Sequence, residues 1–158
     1  MEKTIIKGRV ALSGIAEGRA IVCPKSITGW GGIDPFTGII MEKGNVNEGK
    51  SIKDTILVMP GSKGSNGWSC YFGAARVAGS APKGWLFSRI DSSAGVAIAI
   101  MNIPTIVDFE KDQAPCMLIQ NGDWVKINGE KCEVEIFKDC KENIHTNKHR
   151  DCHVRKNS

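Results

Sequence analysis

Thr55-Ile56-Leu57-Val58-Met59-Pro60-Gly61-Ser62-Lys63-Gly64-Ser65-Asn66-Gly67-Trp68-Ser69-Cys70-Tyr71-Phe72-Gly73-Ala74-Ala75-Arg76-Val77-Ala78 is the stretch that decides the fold. The apolar run Thr55–Met59 reads as a buried strand, and the spacing from Cys70 to Ala78 suits a short helix. Between them lies a turn in which Gly61, Gly64 and Gly67 let the backbone bend sharply and approach a ligand closely. The free N–H groups at the start of the helix would point at whatever occupies that turn, which favours an anion, with Ser62, Ser65 and Ser69 standing around it.

Outward from this unit, Gly79-Ser80-Ala81-Pro82-Lys83-Gly84 ends the helix and Trp85-Leu86-Phe87-Ser88 reads as the next strand, giving a βαβ unit. Ser92–Met101 is expected to be a second helix capped by Asp91 or Ser92, although Ala-Gly-Val-Ala-Ile-Ala-Ile also reads as a buried strand. A short strand follows near Ile106. Residues 121–137 give the clearest hairpin, two alternating strands around a two-residue turn at Asn128-Gly129. At the other end, residues 4–23 alternate as two strands, near Ile5–Leu12 and Gly18–Val22, and are expected to form a hairpin. Residues 41–54 are polar and read as a surface connection. Thr28-Gly29-Trp30-Gly31-Gly32-Ile33-Asp34-Pro35-Phe36-Thr37-Gly38 excludes regular structure. Turn chemistry with Trp30 tucked into the core is the lesser reading; the favoured one is that a loop carrying Trp30, Gly31, Gly32 and Asp34 lines a site or an interface.

The 158 residues fit one domain, with residues 1–137 as its body and 138–158 as a basic tail expected to be disordered. The chain has 21 basic and 17 acidic residues, but the body by itself is close to neutral, which argues against nucleic acid or a membrane surface as a partner. Six cysteines without regular spacing read as buried or free thiols of a cytoplasmic protein. No apolar run is long enough to span a bilayer. The tail carries Cys140, His145, His149, Cys152 and His153; solvated chain is the commoner meaning of such composition than a zinc site, and no metal ligands are assigned.

The turn is not a phosphate-binding P-loop, because Lys63 precedes Gly64 instead of following it. Nor does it serve a histidine-based triad, since every histidine lies in the tail. What remains is a hydroxyl in an anion-binding turn beside Lys63, able to bind a carboxylate or to act as a base if its alkoxide is stabilised. Serines that merely cap the following helix are the alternative. The remaining turn residues Gly61, Ser62, Lys63, Gly64, Asn66 and Ser69 are the expected substrate contacts.

The residues Trp30–Gly38, Val58–Ser65, Ala81-Pro82 and Gly122–Val125, in this order and spacing, resemble the small subunit, or swivel domain, of the aconitase X family. The resemblance runs from about Lys7 to Phe137. It implies an α/β fold: a swivelling β/β/α domain with a small β-barrel-like sheet flanked by helices. It further implies a hydro-lyase that removes a proton and a hydroxyl from adjacent carbons of a small hydroxy acid. A larger, separately encoded subunit would complete the active site and carry an iron–sulfur cluster on its own cysteines. The family's proton-abstracting serine falls on Ser65. Relatives acting on phosphomevalonate tend to continue with Thr after that serine, and many hydroxyproline dehydratases with Cys-Thr-Gly-Ser; Asn66-Gly67-Trp68-Ser69 matches neither. The leading expectation is a subunit of a cis-3-hydroxy-L-proline dehydratase. Phosphomevalonate dehydratase is the runner-up, and a non-catalytic anion- or partner-binding domain the third reading.

Overall fold

A computed structural model of the chain describes residues 2–63 and 67–139. Eight strands are found among them: β1 (Lys3–Lys7), β2 (Arg9–Leu12), β3 (Ile15–Val22), β4 (Ile56–Met59), β5 (Gly84–Phe87), β6 (Thr105–Val107), β7 (Trp124–Asn128) and β8 (Glu133–Phe137). Helix α1 (Trp68–Ala78) connects β4 to β5, α2 (Ser92–Met101) connects β5 to β6, and the short α3 (Pro115–Leu118) precedes β7. The strand order is β1-β8-β7-β3-β4-β5-β6-β2. β3 to β6 run parallel, and antiparallel pairs complete both ends. The two edge strands are consecutive in sequence with only Gly8 between them, so the chain itself bridges the edges and the sheet becomes barrel-like. This is the expected α/β swivel architecture.

The side-chain alternation of the central strands builds two cores. Ile56 and Val58, Leu86 and Ile106 face the barrel interior with Val125, Ile127, Val134 and Ile136. Leu57 and Met59, Trp85 and Phe87, and Val107 face the other way, onto α1, α2 and the segment around Ile27, Ile33, Ile40 and Ile52. A strand sandwiched in this way shows no polar face, which is why β4 and β5 are uninterrupted apolar runs.

Three sequence expectations are corrected. β1 and β3 do not pair with each other; β1 pairs with β8 and β3 with β4 and β7, so the N-terminal hairpin does not exist. The β7–β8 hairpin forms, but Asn128 pairs with Glu133 and residues 129–132 make the loop. Gly129 approaches Gly14 and Ser13 too closely for a side chain, and Cys132 adopts the left-handed φ of 56°. That tertiary contact overrides the local preference of Asn-Gly for a two-residue turn. Residues 41–54 are no simple surface connection either, because Ile52 is buried, and so is Asn47, which donates to the Val22 carbonyl at 2.7 Å. The expectations for the tail, including its cysteines and histidines, lie outside the described residues.

Candidate active site

The glycine-rich turn leaves the carboxyl end of β4, the position at which parallel α/β sheets bind ligands. Its first four residues are gripped from three sides. The Ser26 hydroxyl donates to the Gly61 carbonyl, and the Arg89 N–H donates to the Pro60 carbonyl at 3.1 Å. Asp91 then takes hold of Ser62 with both carboxylate oxygens, accepting from the backbone N–H at 2.8 Å and from the hydroxyl at 2.7 Å. The same carboxylate accepts from Ala94 N at 2.9 Å and so caps α2. Partial burial works against the Asp91 charge, but these hydrogen bonds outweigh it and hold its pKa below the ordinary value.

Lys63 reaches across to Glu42, Nζ to Oε1 at 2.7 Å. Glu42 also accepts from the Thr28 hydroxyl and, at 3.1 Å, from the Asn45 amide. Burial raises its pKa, while Lys63, Thr28 and Asn45 together bring it down to about 2, so Glu42 is an anion at any physiological pH.

The far side of the turn is fixed by aromatic packing. Trp68, the first residue of α1, is fully buried, stacks on Trp85 with centroids 5.6 Å apart, and donates from Nε1 to the Ile27 carbonyl at 2.8 Å. A Cβ on Gly29 would stand 2.3 Å from the Trp68 Cα, so only glycine lets the loop seat against the helix start. Trp68 is therefore a core residue that anchors α1. Gly67 precedes the helix without a side chain to cap it, and the first turn has no acidic residue, which leaves the helix's positive end uncompensated by its own side chains.

Of the expected site residues, Gly61, Ser62 and Lys63 meet Asp91 and Glu42 at the mouth of the turn, and Ser69 is buried in the first turn of α1. Gly64, Ser65 and Asn66 lie outside the described residues. Trp30 is not tucked into the core: it is 69% exposed and meets Tyr71 edge-on at 5.3 Å. Gly31 lies beside it, open to solvent, and Gly32 packs on the Thr28 carbonyl where no Cβ fits. Asp34 uses its carboxylate locally, accepting from Phe36 N at 2.9 Å to shape the loop. Sequence reasoning missed Glu42 and the second role of Asp91. Glu42 gave no signal within a polar stretch; Asp91 was visible only as a helix cap.

Among the described residues no group of three or more His, Cys, Asp or Glu stands where it could hold a metal ion. The four described cysteines are unpaired thiols. Burial raises the pKa of Cys23 and pushes that of Cys116 up to about 11, so neither supplies a ready thiolate for a cluster.

A family model described as the aconitase X swivel domain matches residues 5–136. A phosphomevalonate dehydratase small subunit from Methanocella arvoryzae is 34% identical over 131 residues, covering 83% of this chain and 98% of that protein. The proteins of the same name from Methanosarcina acetivorans and Pyrococcus furiosus are 33% and 32% identical, covering 84% of this chain and 91% and 95% of their own lengths. Among solved structures, the crystal structure of Thermococcus kodakaraensis aconitase X in its holo-form superposes with a TM-score of 0.76 at 30% identity, covering 85% of this chain and 99% of that one. A solution NMR structure of a UPF0107 protein gives 0.74 at 32% identity, with 85% and 100% covered.

Proposed function

The chain belongs to the aconitase X swivel-domain family, and from that premise we propose that it is the small subunit of a phosphomevalonate dehydratase, a hydro-lyase completed by a large subunit. The observation that carries this reading is the near-complete overlap with relatives of that name, the Methanocella protein being covered over 98% of its length. Phosphomevalonate thereby takes precedence over cis-3-hydroxy-L-proline, the substrate that the sequence placed first. In support, the first residues of the glycine-rich turn are locked by Asp91, Glu42 and Ser26, as befits a segment that must present one side chain accurately.

In this proposal Ser65 is the proton-abstracting base. It takes a proton from the carbon next to the substrate carboxylate, a hydroxide departs from the neighbouring carbon, and the electron pair of the broken C–H bond becomes the C=C bond of the product. A serine hydroxyl is a weak base unless its alkoxide is stabilised, which the uncompensated N-terminus of α1 favours. Lys63 adds little charge of its own, being paired with Glu42. The described residues do not suit an iron–sulfur cluster, so the proposal assigns the cluster and the departing hydroxide to the large subunit. The exposed loop bearing Trp30, Gly31 and Gly32 is the surface offered to that subunit. No membrane or nucleic acid has a part in this cytoplasmic reading, and no helix among the described residues is long and apolar enough to cross a membrane.

The test is reconstitution with the large subunit and assay of both hydroxy acids. Dehydration of phosphomevalonate with negligible turnover of cis-3-hydroxy-L-proline is the expected result. A stable complex that dehydrates the proline derivative and ignores phosphomevalonate would overturn the substrate assignment. Failure of the chain to co-assemble with any large subunit would return it to a non-catalytic anion- or partner-binding role.

A further inference from the structure

Beside the entrance to the glycine-rich turn lies a cleft of about 330 Å³ lined by Cys23, Lys25, Glu42, Lys43, Asn45 and Lys63, among others. Three of these side chains are lysines and one is a carboxylate. Glu42 is spent on Lys63. Among the described residues Lys25 and Lys43 pair with no carboxylate, so the cleft keeps two uncompensated positive charges. Cys23 does not reduce that charge, because burial keeps its thiol protonated. The surrounding body is close to neutral, so the cleft is a local feature and no part of a broad basic face.

We propose that this cleft is the subsite for the phosphate monoester of the substrate, seated between Lys25 and Lys43 with Lys63 at its rim. A phosphate monoester carries a charge of nearly −2 at neutral pH, which two free ammonium groups match and a single carboxylate does not. Lysine suits the task as a compact charge on a flexible stem that follows the phosphate without demanding one geometry. The location also fits: Lys63 stands two residues before Ser65, and chain connectivity alone keeps their Cα atoms within about 7 Å. A substrate with its phosphate in the cleft thus reaches toward the turn with its carboxylate end. The Glu42–Lys63 pair has a defined part, holding Lys63 at the rim while keeping a third free charge out of the cleft. An unphosphorylated hydroxy acid gains nothing from Lys25 and Lys43, so the cleft acts as a selector for phosphorylated substrates.

This inference rests on the phosphomevalonate reading, and its test separates the two. In the reconstituted complex, the Lys25→Ala/Lys43→Ala double variant is expected to raise KM for phosphomevalonate at least tenfold, with kcat within about twofold of wild type, because the lost contact binds substrate and transition state alike. Lys25→Arg/Lys43→Arg should recover most of the affinity, and Lys53→Ala, an exposed lysine outside the cleft, should leave KM unchanged. A double variant with wild-type KM overturns the subsite while leaving the proposed function intact. If the wild-type complex does not turn over phosphomevalonate at all, the proposed function fails, and titration of the full chain with inorganic phosphate decides the cleft by itself. Saturable amide shifts at Lys25, Lys43 and Lys63 below ~10 mM, absent in the double variant, uphold it. Shifts that do not saturate, or that persist in the double variant, overturn it.

Discussion

Asp91 holds two elements with one carboxylate: it caps α2 through Ala94 and clamps the glycine-rich turn through Ser62. The two roles separate by substitution. Asn caps a helix nearly as well as Asp, but its NH2 group would confront the Ser62 N–H that Asp91 accepts from. Asp91→Asn is therefore expected to lose under about 1 kcal/mol of stability, and Asp91→Ala about 1–2 kcal/mol, by chemical denaturation. Both should lower kcat of the complex more than they raise KM; an Asp91→Asn enzyme with wild-type kcat would show that the clamp is dispensable. Glu42 gives a pH signature. Its folded pKa of about 2 lies below the usual 4.5, so its contribution is fully present above pH 4.5 and is lost as the pH falls toward 2. The difference in stability between wild type and Glu42→Gln should accordingly be constant from neutrality down to about pH 4.5 and shrink below it. At this scale little was legible in the sequence. Asp91 and Ser62 are 29 positions apart, and no local pattern announces a bond across that distance.

The elements whose residues satisfy their own periodicity were readable from the sequence: β4, α1, β5, α2 and β6 stand where apolar runs and cap signals put them. α2 was open to two readings, and its cap at Asp91 and left-handed end at Asn102 settle it as a helix. What failed was pairing. β1 with β2, read as one strand, and β3 were recognised, yet β1 pairs with β8 and β3 with β7, each more than a hundred residues away, while β3 also lies parallel to β4, and a hairpin was the nearest local guess. The seat of α1 is the element-scale feature most open to test. Because a Cβ at position 29 would lie 2.3 Å from the Trp68 backbone, Gly29→Ala must push the loop off the helix start and should cost about 1–3 kcal/mol in equilibrium unfolding. Gly31→Ala, on the same loop but with open space around it, serves as the comparison; its φ of 74° still imposes a strain of about 1 kcal/mol.

Over the whole molecule, the chain at Gly8 bridges the two edges of a barrel-like sheet, and α1, α2 and the segment around Ile27 and Ile33 that flanks Trp30 are gathered against β4–β6. The swivel architecture was legible because the loop and the turn occur together in one order; how the sheet closes was not, since it depends on the register of strands at opposite ends of the sequence. Trp30 remains exposed despite its size, and the proposed function places it on the surface offered to the large subunit. Trp30→Ala should leave the melting temperature of the isolated chain unchanged and weaken its affinity for the large subunit at least tenfold, as read by calorimetry; unaltered affinity would remove the loop from the interface. The most direct measurement is the single-turnover rate of phosphomevalonate dehydration by the reconstituted complex carrying Ser65→Ala. A base supplied by this subunit requires that rate to fall about 10²–10⁴-fold with assembly preserved, and an intact complex dehydrating phosphomevalonate at the wild-type rate would contradict it.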